Sequence, residues 1–323
     1  MMSRFLIVQT AFVGDAILMT ALLEKLHVYY PQATLDVLVR KGNESLFDSH
    51  PFIGNVLIWD KKQGKYKSLF TLINSIRKKK YDTVINVQRF FNAGMLTAFS
   101  GANKRIGFNK SPWSFAFTTA VTHQLNSNLH EVERNQQLIT ALTDNEAAKP
   151  KLYTNQVAAS VQHLKQQPYV CMAPASVWFT KQWPKQKWIE LCNEIKQPVI
   201  YLIGAPADNA LCDEIKTSTE NKGIVNLAGK LSLLQSASLM QQAVMNYVND
   251  SAPMHLCSAT DAPVTAIFCS TIPAFGFGPL STNSKIAQTG TALKCRPCGL
   301  HGHKQCPQSH FNCAYQINIK QVL

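Results

Sequence analysis

Residues 245–257, MNYVNDSAPMHLC, are a short apolar run that ends in a carboxylate just where a helix begins. Met245, Tyr247 and Val248 read as a buried strand, and Asp250 and Ser251 followed by Pro253 read as a helix N-cap with proline in the first turn. A strand that runs into a helix N-terminus makes an anion site. The exposed N–H groups and the positive end of the helix dipole point at whatever sits above the sheet edge, and His255 falls within one turn of that point. The same residues also fit an ordinary strand-to-helix turn, so the flanking segments must decide between the two.

Outward from this stretch, strand and helix patterns alternate. Apolar runs predict strands at 5–8, 35–39, 56–59, 83–87 and 105–107, and helical spacing predicts helices over 16–30, 68–77, 94–99 and 130–142. Residues 144–166 are polar and lack a strand signal, as an inter-domain connection would. The alternation then restarts, with strands at 169–172, 199–203, 224–227 and 264–268 around the opening one and helices over 188–194, 207–215 and 232–242. Such alternation implies parallel sheets wound on both faces, with ligands at the strand C-termini. The expected fold is α/β, with two doubly wound Rossmann-like domains, 1–155 and 156–323, facing across a cleft.

The chain has 32 Lys and Arg against 19 Asp and Glu, and the resulting net charge of +13 points to an anionic partner. The densest basic stretch, 61–80, holds Lys61, Lys62, Lys65, Lys67, Arg77, Lys78, Lys79 and Lys80. It reads either as a solvated face or as a docking surface for anionic lipid or a phosphorylated glycolipid. Aromatic residues are not interleaved with these bases, which weighs against nucleic acid. Asp15 interrupts the N-terminal apolar run and no small-residue cleavage site follows, so a signal peptide is not expected. No uncharged apolar run reaches the length of a membrane span. Cys171, Cys192, Cys212, Cys257 and Cys269 lie scattered in apolar surroundings, as free thiols in a reducing compartment do, and a cytoplasmic protein is expected.

Motif absences narrow the chemistry. Gly14 stands without the further glycines of a dinucleotide fingerprint, Gly229-Lys230 is followed by leucine rather than the hydroxyl residue of a P-loop, and there is no G-x-S-x-G elbow. Four segments remain at expected sheet edges. GDAILMTALL places Asp15 at the start of its helix, where the dipole should keep the carboxylate ionised and able to accept a proton, unless it serves as a helix cap. APASVWFTKQWP, 173–184, offers small residues for close approach, the hydroxyls of Ser176 and Thr180, and the charge of Lys181, suited to phosphate or to a solvated surface. LIGAPAD, 202–208, brings Asp208, which either reaches a ribose or caps a helix. The fourth is the opening stretch.

Together these segments resemble the ADP-heptose:lipopolysaccharide heptosyltransferase family, glycosyltransferase family 9. The resemblance runs through FLIVQTAFVGDAILMT, YDTVINVQ, GANKRIGF, HEVERN, APASVWFTKQWP, LIGAPAD, NLAGKLSL and NDSAPMHLCSATDAPVTAIF, in the family's order. It implies the GT-B fold, with the N-terminal domain binding a lipopolysaccharide core acceptor and the C-terminal domain the nucleotide-sugar donor. Heptose would be transferred with inversion and without an essential cofactor, at the inner face of the inner membrane, where the anionic surface is a further partner. Asp15 takes the position of the general base and Lys181 that of the residue assisting the phosphates. Asp250, Ser251, Ala252 and His255 take that of the diphosphate loop, with Asp250 capping its helix or orienting His255 or a donor hydroxyl. The sequence departs from the family at Ala21, where many members have proline, at PASVWF, which replaces a more polar donor loop, and after Cys313, where the long final helix of many members is shortened. A transferase using another nucleotide sugar or a protein acceptor, and a nucleotide-sugar-binding protein without turnover, are the alternatives.

CRPCGLHGHKQCPQSHFNC brings Cys295, Cys298, Cys306 and Cys313 together with His301, His303 and His310. The spacing is close to that of a structural zinc site, although the second pair is wider apart, and some protein-directed relatives bind iron through such a set. A structural zinc or iron, disulfides and unligated thiols are the three readings.

Overall fold

Runs of Val, Ile, Leu and Phe form strands buried on both faces, the pattern of parallel sheets covered by helices. The computed structural model describes residues 3–48, 50–62, 65–124 and 128–323. The chain divides into two units, Met1–Tyr153 and Thr154–Leu323.

In the first unit, β1 (Arg4–Gln9), β2 (Thr34–Arg40), β3 (Ile53–Trp59), β4 (Thr83–Asn86), β5 (Lys104–Phe108) and β6 (Thr119–Val121) alternate with α1 (Val13–Tyr29), α2 (Lys65–Lys79) and α3 (Phe91–Ala98), and α4 (Glu131–Gln136) follows. The strands pair in the order β3-β2-β1-β4-β5-β6, every pair parallel. The second unit opens with α5 (Asn155–Ala158). It continues through β7 (Tyr169–Ala173), α6 (Lys185–Glu194), β8 (Val199–Leu202), α7 (Asn209–Ser218), β9 (Ile224–Asn226), α8 (Leu233–Gln241), β10 (Met245–Asn249), α9 (Ala252–Thr260), β11 (Val264–Phe268) and β12 (Ser284–Gln288), and ends in α10 (Asn312–Tyr315) and α11 (Ile319–Val322). Its order is β9-β8-β7-β10-β11-β12, again all parallel.

Counted within each unit, both sheets have the order 3-2-1-4-5-6. The strand order therefore reverses between β1 and β4 in one unit and between β7 and β10 in the other. In open α/β sheets the crevice beyond the strand C-termini at that switch point is where ligands bind. The opening stretch of the sequence is the β10 side of the second switch point.

Several expected elements differ. Helix α1 begins at Val13, ahead of the expected start at 16, because it is buried almost all round, from Ala16 to Leu23, and takes its stability from packing rather than from an amphipathic stripe. The helix expected over 130–142 ends at Gln136. Beyond it, Leu138, Ile139 and Leu142 donate to carbonyls three residues back, and Gln136 Nε2 donates to Thr143 Oγ1 and to the Asp144 carbonyl, which folds the segment into turns. Strands β6 and β12 were not expected at all. Each is the last strand of its sheet, largely exposed and without an apolar run.

The basic stretch 61–80 does not form one face. Lys61 Nζ donates to the Thr10 carbonyl at 2.9 Å, Lys79 lies 3.8 Å from the buried Asp36 carboxylate, and Arg77, Lys78 and Lys80 are exposed at the end of α2. The side chains of Lys65 and Lys67 lie outside the described residues. Among the described residues no helix is long and apolar enough to cross a membrane.

Candidate active site

At both switch points an amide at or just past the end of the fourth strand holds the loop that follows the first. Gln88, just past β4, accepts the N–H (2.9 Å) and the hydroxyl (2.7 Å) of Thr10 on Oε1. Lys61 donates to the Thr10 carbonyl, and Asn43 Nδ2 donates to the Ala11 carbonyl at 3.1 Å. With the loop 10–12 held from three sides, the start of α1 is fixed in place. In the second unit Asn249, the last residue of β10, donates from Nδ2 to the Pro174 carbonyl at 2.8 Å and accepts the Trp183 N–H on Oδ1 at 2.9 Å. One buried side chain thereby grips both ends of the loop that carries Ser176, Thr180 and Lys181.

Asp15 sits in the first turn of α1, three residues past the N-cap position, which is occupied by Phe12 and makes no side-chain cap. Asp15 is therefore not the cap of its helix. Its carboxyl is pushed up to about 6, chiefly because burial penalises the charged form and secondarily because the Glu131 carboxylate lies near. Hydrogen bonds from its own backbone and that of Phe12, and the charge of Arg89, pull the other way and lose. A dipole effect of roughly 1 kcal/mol is smaller than the desolvation of a recessed carboxylate, so the titration rises, yet a carboxyl titrating at about 6 is still largely ionised near neutral pH.

Glu131 is delivered by HEVERN. His130 caps α4, accepting the Val132 N–H on Nδ1 at 3.3 Å, and Glu133 accepts the His130 N–H at 2.6 Å, closing a capping box. Arg134, fully buried, donates from Nε to Glu131 at 2.8 Å and from Nη1 to the Leu129 carbonyl at 2.6 Å. Glu131 is thus fixed in the first turn of α4, which packs against α1. Its own carboxyl is raised by burial in spite of Arg134.

At the second switch point Lys181 Nζ lies 2.7 Å from Asp250 Oδ2, and the same oxygen accepts the Thr271 hydroxyl at 2.6 Å. Asp250 is buried and its partner lysine nearly so. The carboxylate therefore tethers the lysine and does not cap α9. The N-cap of α9 is Ser251, whose hydroxyl donates to the Asn249 carbonyl and makes no cap bond, so the first turn of α9 keeps its N–H groups without a side-chain cap. Ala252 and Pro253 open the helix, and His255 is buried one turn in. A tethered cation beside an uncapped helix N-terminus is suited to a dianionic or trianionic phosphate group.

The remaining candidates have local partners of their own. The Ser176 carbonyl accepts from Gln182 Nε2 at 2.6 Å. The Thr180 hydroxyl is not open to a ligand: it accepts the His303 N–H at 2.7 Å and the Ser270 hydroxyl at 3.1 Å, while the Thr180 N–H donates back to the His303 carbonyl. Asp208 accepts the Ala205 N–H at 2.7 Å and so caps the Pro206–Asp208 turn. That turn is packed against Gly229, which has φ +73 and where a Cβ would stand 2.8 Å from Pro206 Cα.

The cysteine-rich tail folds back on the Lys181 loop through His303, and on the segment after β11 through the Cys298 N–H, which donates to the Ser270 carbonyl. Burial raises the Cys313 thiol to about 11, with the Cys306, Cys295 and Cys298 thiols adding to the shift, so the four are neighbours; Cys295 Sγ is 3.8 Å from His310 Nε2. Among the described residues, however, no three His, Cys, Asp or Glu side chains stand as a metal-holding group, and all nine cysteines are free thiols. The expected zinc or iron set is gathered but does not have metal-site geometry, and no step below passes through a metal.

Sequence reasoning missed Asn249, Gln88, Glu131 and Thr271. An amide at the end of a buried strand is a readable signal, since it must find partners there. Glu131 lies in HEVERN, a segment that carries the family resemblance, and Thr271 had no signal.

Two doubly wound parallel sheets of this kind, one per unit, make the GT-B fold. The fold is that of the E. coli ADP-heptose lps heptosyltransferase II, with a TM-score of 0.82 over 99% of this chain and 96% of that one at 20% identity. It is also that of E. coli heptosyltransferase WaaC with ADP-2-deoxy-2-fluoro heptose, at 0.75 over 99% and 97% and 19% identity. Residues 69–309 match glycosyltransferase family 9 (heptosyltransferase), and the chain belongs to that family. A curated relative, lipopolysaccharide heptosyltransferase 3 of Escherichia coli (strain K12), is 28% identical over 284 residues, 81% of each chain. The protein is a glycosyltransferase.

Proposed function

We propose that this enzyme transfers heptose from ADP-heptose to the lipopolysaccharide inner core with inversion at the anomeric carbon. The observation that carries the reading is Asp15: a recessed carboxyl at a switch point, with its titration moved to about 6, is matched to taking a proton near neutral pH. The acceptor hydroxyl gives its proton to the Asp15 carboxylate as its oxygen bonds to the anomeric carbon. The bond from that carbon to the diphosphate oxygen breaks, and ADP leaves with the electron pair. Lys181, tethered by Asp250, and the N–H groups at the start of α9 neutralise the charge that develops on the diphosphate. Ser176, Asp208 and His255 line the donor end, and Thr180 acts by positioning its neighbour Lys181. The first unit receives the acceptor and the second the donor.

The donor is supported by the WaaC likeness, which was solved with an ADP-heptose analogue, and the acceptor by the lipopolysaccharide heptosyltransferase relative. Peripheral attachment to the inner face of the inner membrane is supported by the exposed Phe70, Arg77, Lys78 and Lys80 of the α2 region, an apolar side chain beside a basic end. Product analysis with ADP-heptose, competing nucleotide sugars and truncated core acceptors tests the reading. A heptosylated core product of inverted configuration is expected. Transfer from another nucleotide sugar, with ADP-heptose inert, would overturn it.

A further inference from the structure

The segment that leaves the second sheet at the end of β11 lies between the donor end and the cysteine-rich tail, and it is engaged on both sides. On one side the Thr271 hydroxyl holds Asp250, which tethers Lys181, and the Ser270 hydroxyl donates to Thr180. On the other, the four successive carbonyls from Phe268 to Thr271 all accept from the tail. Arg296 supplies three of these bonds: Nε donates to Cys269 at 2.8 Å, and Nη2 to Thr271 at 2.8 Å and to Phe268 at 3.2 Å. The Cys298 N–H supplies the fourth, to Ser270 at 2.8 Å. Nη2 also donates to Gln288 Oε1 on β12 at 2.8 Å, which anchors the guanidinium to the sheet as well as to the loop.

The tail then passes over Lys181 itself. Gly302 has φ +76, and a Cβ there would stand 2.8 Å from Thr180 Oγ1, 3.1 Å from Lys181 Cγ and 3.3 Å from Ser270 Oγ. Glycine is needed at this position both for its backbone conformation and for the closeness of the lysine stem. The next residue closes a two-way grip, the His303 N–H donating to the Thr180 hydroxyl while the His303 carbonyl accepts the Thr180 N–H. Phe311, Cys313 and Ala314 anchor the end of the tail in the apolar core, whereas residues 296–303 make their contacts around the site. A lysine carries its charge on a flexible four-carbon stem, so its ammonium alone is a poorly located point charge. Here the stem is covered by Gly302, and the ammonium is held by Asp250, whose other partner, Thr271, has its carbonyl in the Arg296 fork.

We propose that Arg296 and Gly302 are positioning residues for the anion holder. Arg296 acts through Thr271 and Asp250, Gly302 acts by contact with the lysine stem, and together they set where the Lys181 ammonium meets the diphosphate. The inference rests on the transferase reading for its ligand, an ADP-bearing donor. A charge fixed before the leaving group departs needs no reorganisation as negative charge develops, and so stabilises the diphosphate more than a mobile lysine would.

The test measures binding of ADP, and of adenosine, which lacks the diphosphate, by calorimetry on the full chain. Arg296→Ala, Arg296→Lys and Gly302→Ala are each made in the wild type and in Lys181→Ala, and the folding of every variant is checked by thermal unfolding. Arg296→Ala is expected to weaken ADP binding about tenfold, the scale of one charge-assisted contact, with adenosine unchanged and partial recovery in Arg296→Lys. Gly302→Ala is expected to weaken ADP at least as much. In Lys181→Ala the same substitutions should change ADP binding by less than about twofold, because residues that act through one partner are not additive. Equal losses on ADP and adenosine, losses undiminished in Lys181→Ala, or no loss at all would overturn the positioning role. Should Arg296→Ala not fold, Arg296→Lys, which keeps the charge but not the planar fork, carries the same comparison. Transfer from ADP-heptose is measured alongside, and kcat should fall and donor KM rise with acceptor KM unchanged. Arg296-dependent ADP binding without any heptose transfer would sink the transferase reading alone, and heptose transfer with ADP binding indifferent to Arg296 would sink the positioning role alone.

Discussion

The two switch points share a scaffold and differ in electrostatics. Each lies between the first and fourth strands of a 3-2-1-4-5-6 sheet, and each has an amide at or just past the end of the fourth strand clamping the loop after the first, Gln88 on Thr10 and Asn249 on Pro174 and Trp183. In the first, two carboxylates, Asp15 and Glu131, are brought near one another in a recess, and the titration of Asp15 rises. In the second, a carboxylate is spent on a lysine, and the helix that follows is left uncapped. The fold supplies the same position twice; side chains put a desolvated carboxyl at one and a tethered cation beside an uncapped helix start at the other.

The largest effect that can break this comparison is loss of the base. Asp15→Asn should lower kcat by roughly 10²- to 10⁴-fold with little change in donor KM. The same substitution should stabilise the protein. A carboxyl whose folded titration is raised to about 6 from 3.8 favours the folded state only while protonated, so its charge costs stability at pH values above 6. Asp15→Asn should therefore gain on the order of 1 to 3 kcal/mol in denaturant unfolding at pH 8, with the gain gone below about pH 4. A variant that is inactive and less stable at pH 8 would mean that Asp15 is a structural residue.

Loss of the anion holder comes next. Lys181→Ala should cost about 10²- to 10³-fold in kcat, because it removes charge stabilisation of the leaving group and also leaves buried Asp250 without its counter-ion. Restoring a cation with Lys181→Arg should recover part of the loss, and unchanged kcat and donor affinity in Lys181→Ala would remove the residue from the mechanism.

Smaller effects separate the clamps. Asn249→Ala should lower stability by roughly 1–3 kcal/mol and raise donor KM, since the Trp183 N–H and the Pro174 carbonyl lose their partner. Gln88→Ala should instead affect acceptor KM. Crossed results, with Asn249→Ala acting on the acceptor, would refute the division of labour.

The parallel strands, the unit boundary region and the segments at both switch points were legible because each rests on a local signal: a buried apolar run, a polar connection, a carboxylate or lysine just past a strand. The edge strands β6 and β12 were not, because their residues are largely exposed and their pairing is decided by the neighbouring strand. Asp15 and Lys181 stand out in the sequence, but their settings do not. The raised titration of Asp15 depends first on burial and then on Glu131, more than a hundred residues away in the chain, and the tether on Lys181 comes from Asp250, and from Thr271 beyond it. Thr180 was read as a ligand group because its hydroxyl is free in the sequence; in the fold His303 and Ser270 already use it.

The central claim is that the first switch point makes a base of Asp15 by desolvation and by Glu131. It is tested most directly by kcat against pH from 5 to 9 with a phosphate-free acceptor, since phosphate itself titrates near 6. The wild type should lose activity as the pH falls through about 6, Glu131→Gln should move that limb to lower pH, and the residual activity of Asp15→Asn should lack it. A limb that persists in Asp15→Asn, or one that Glu131→Gln leaves in place, would contradict the account.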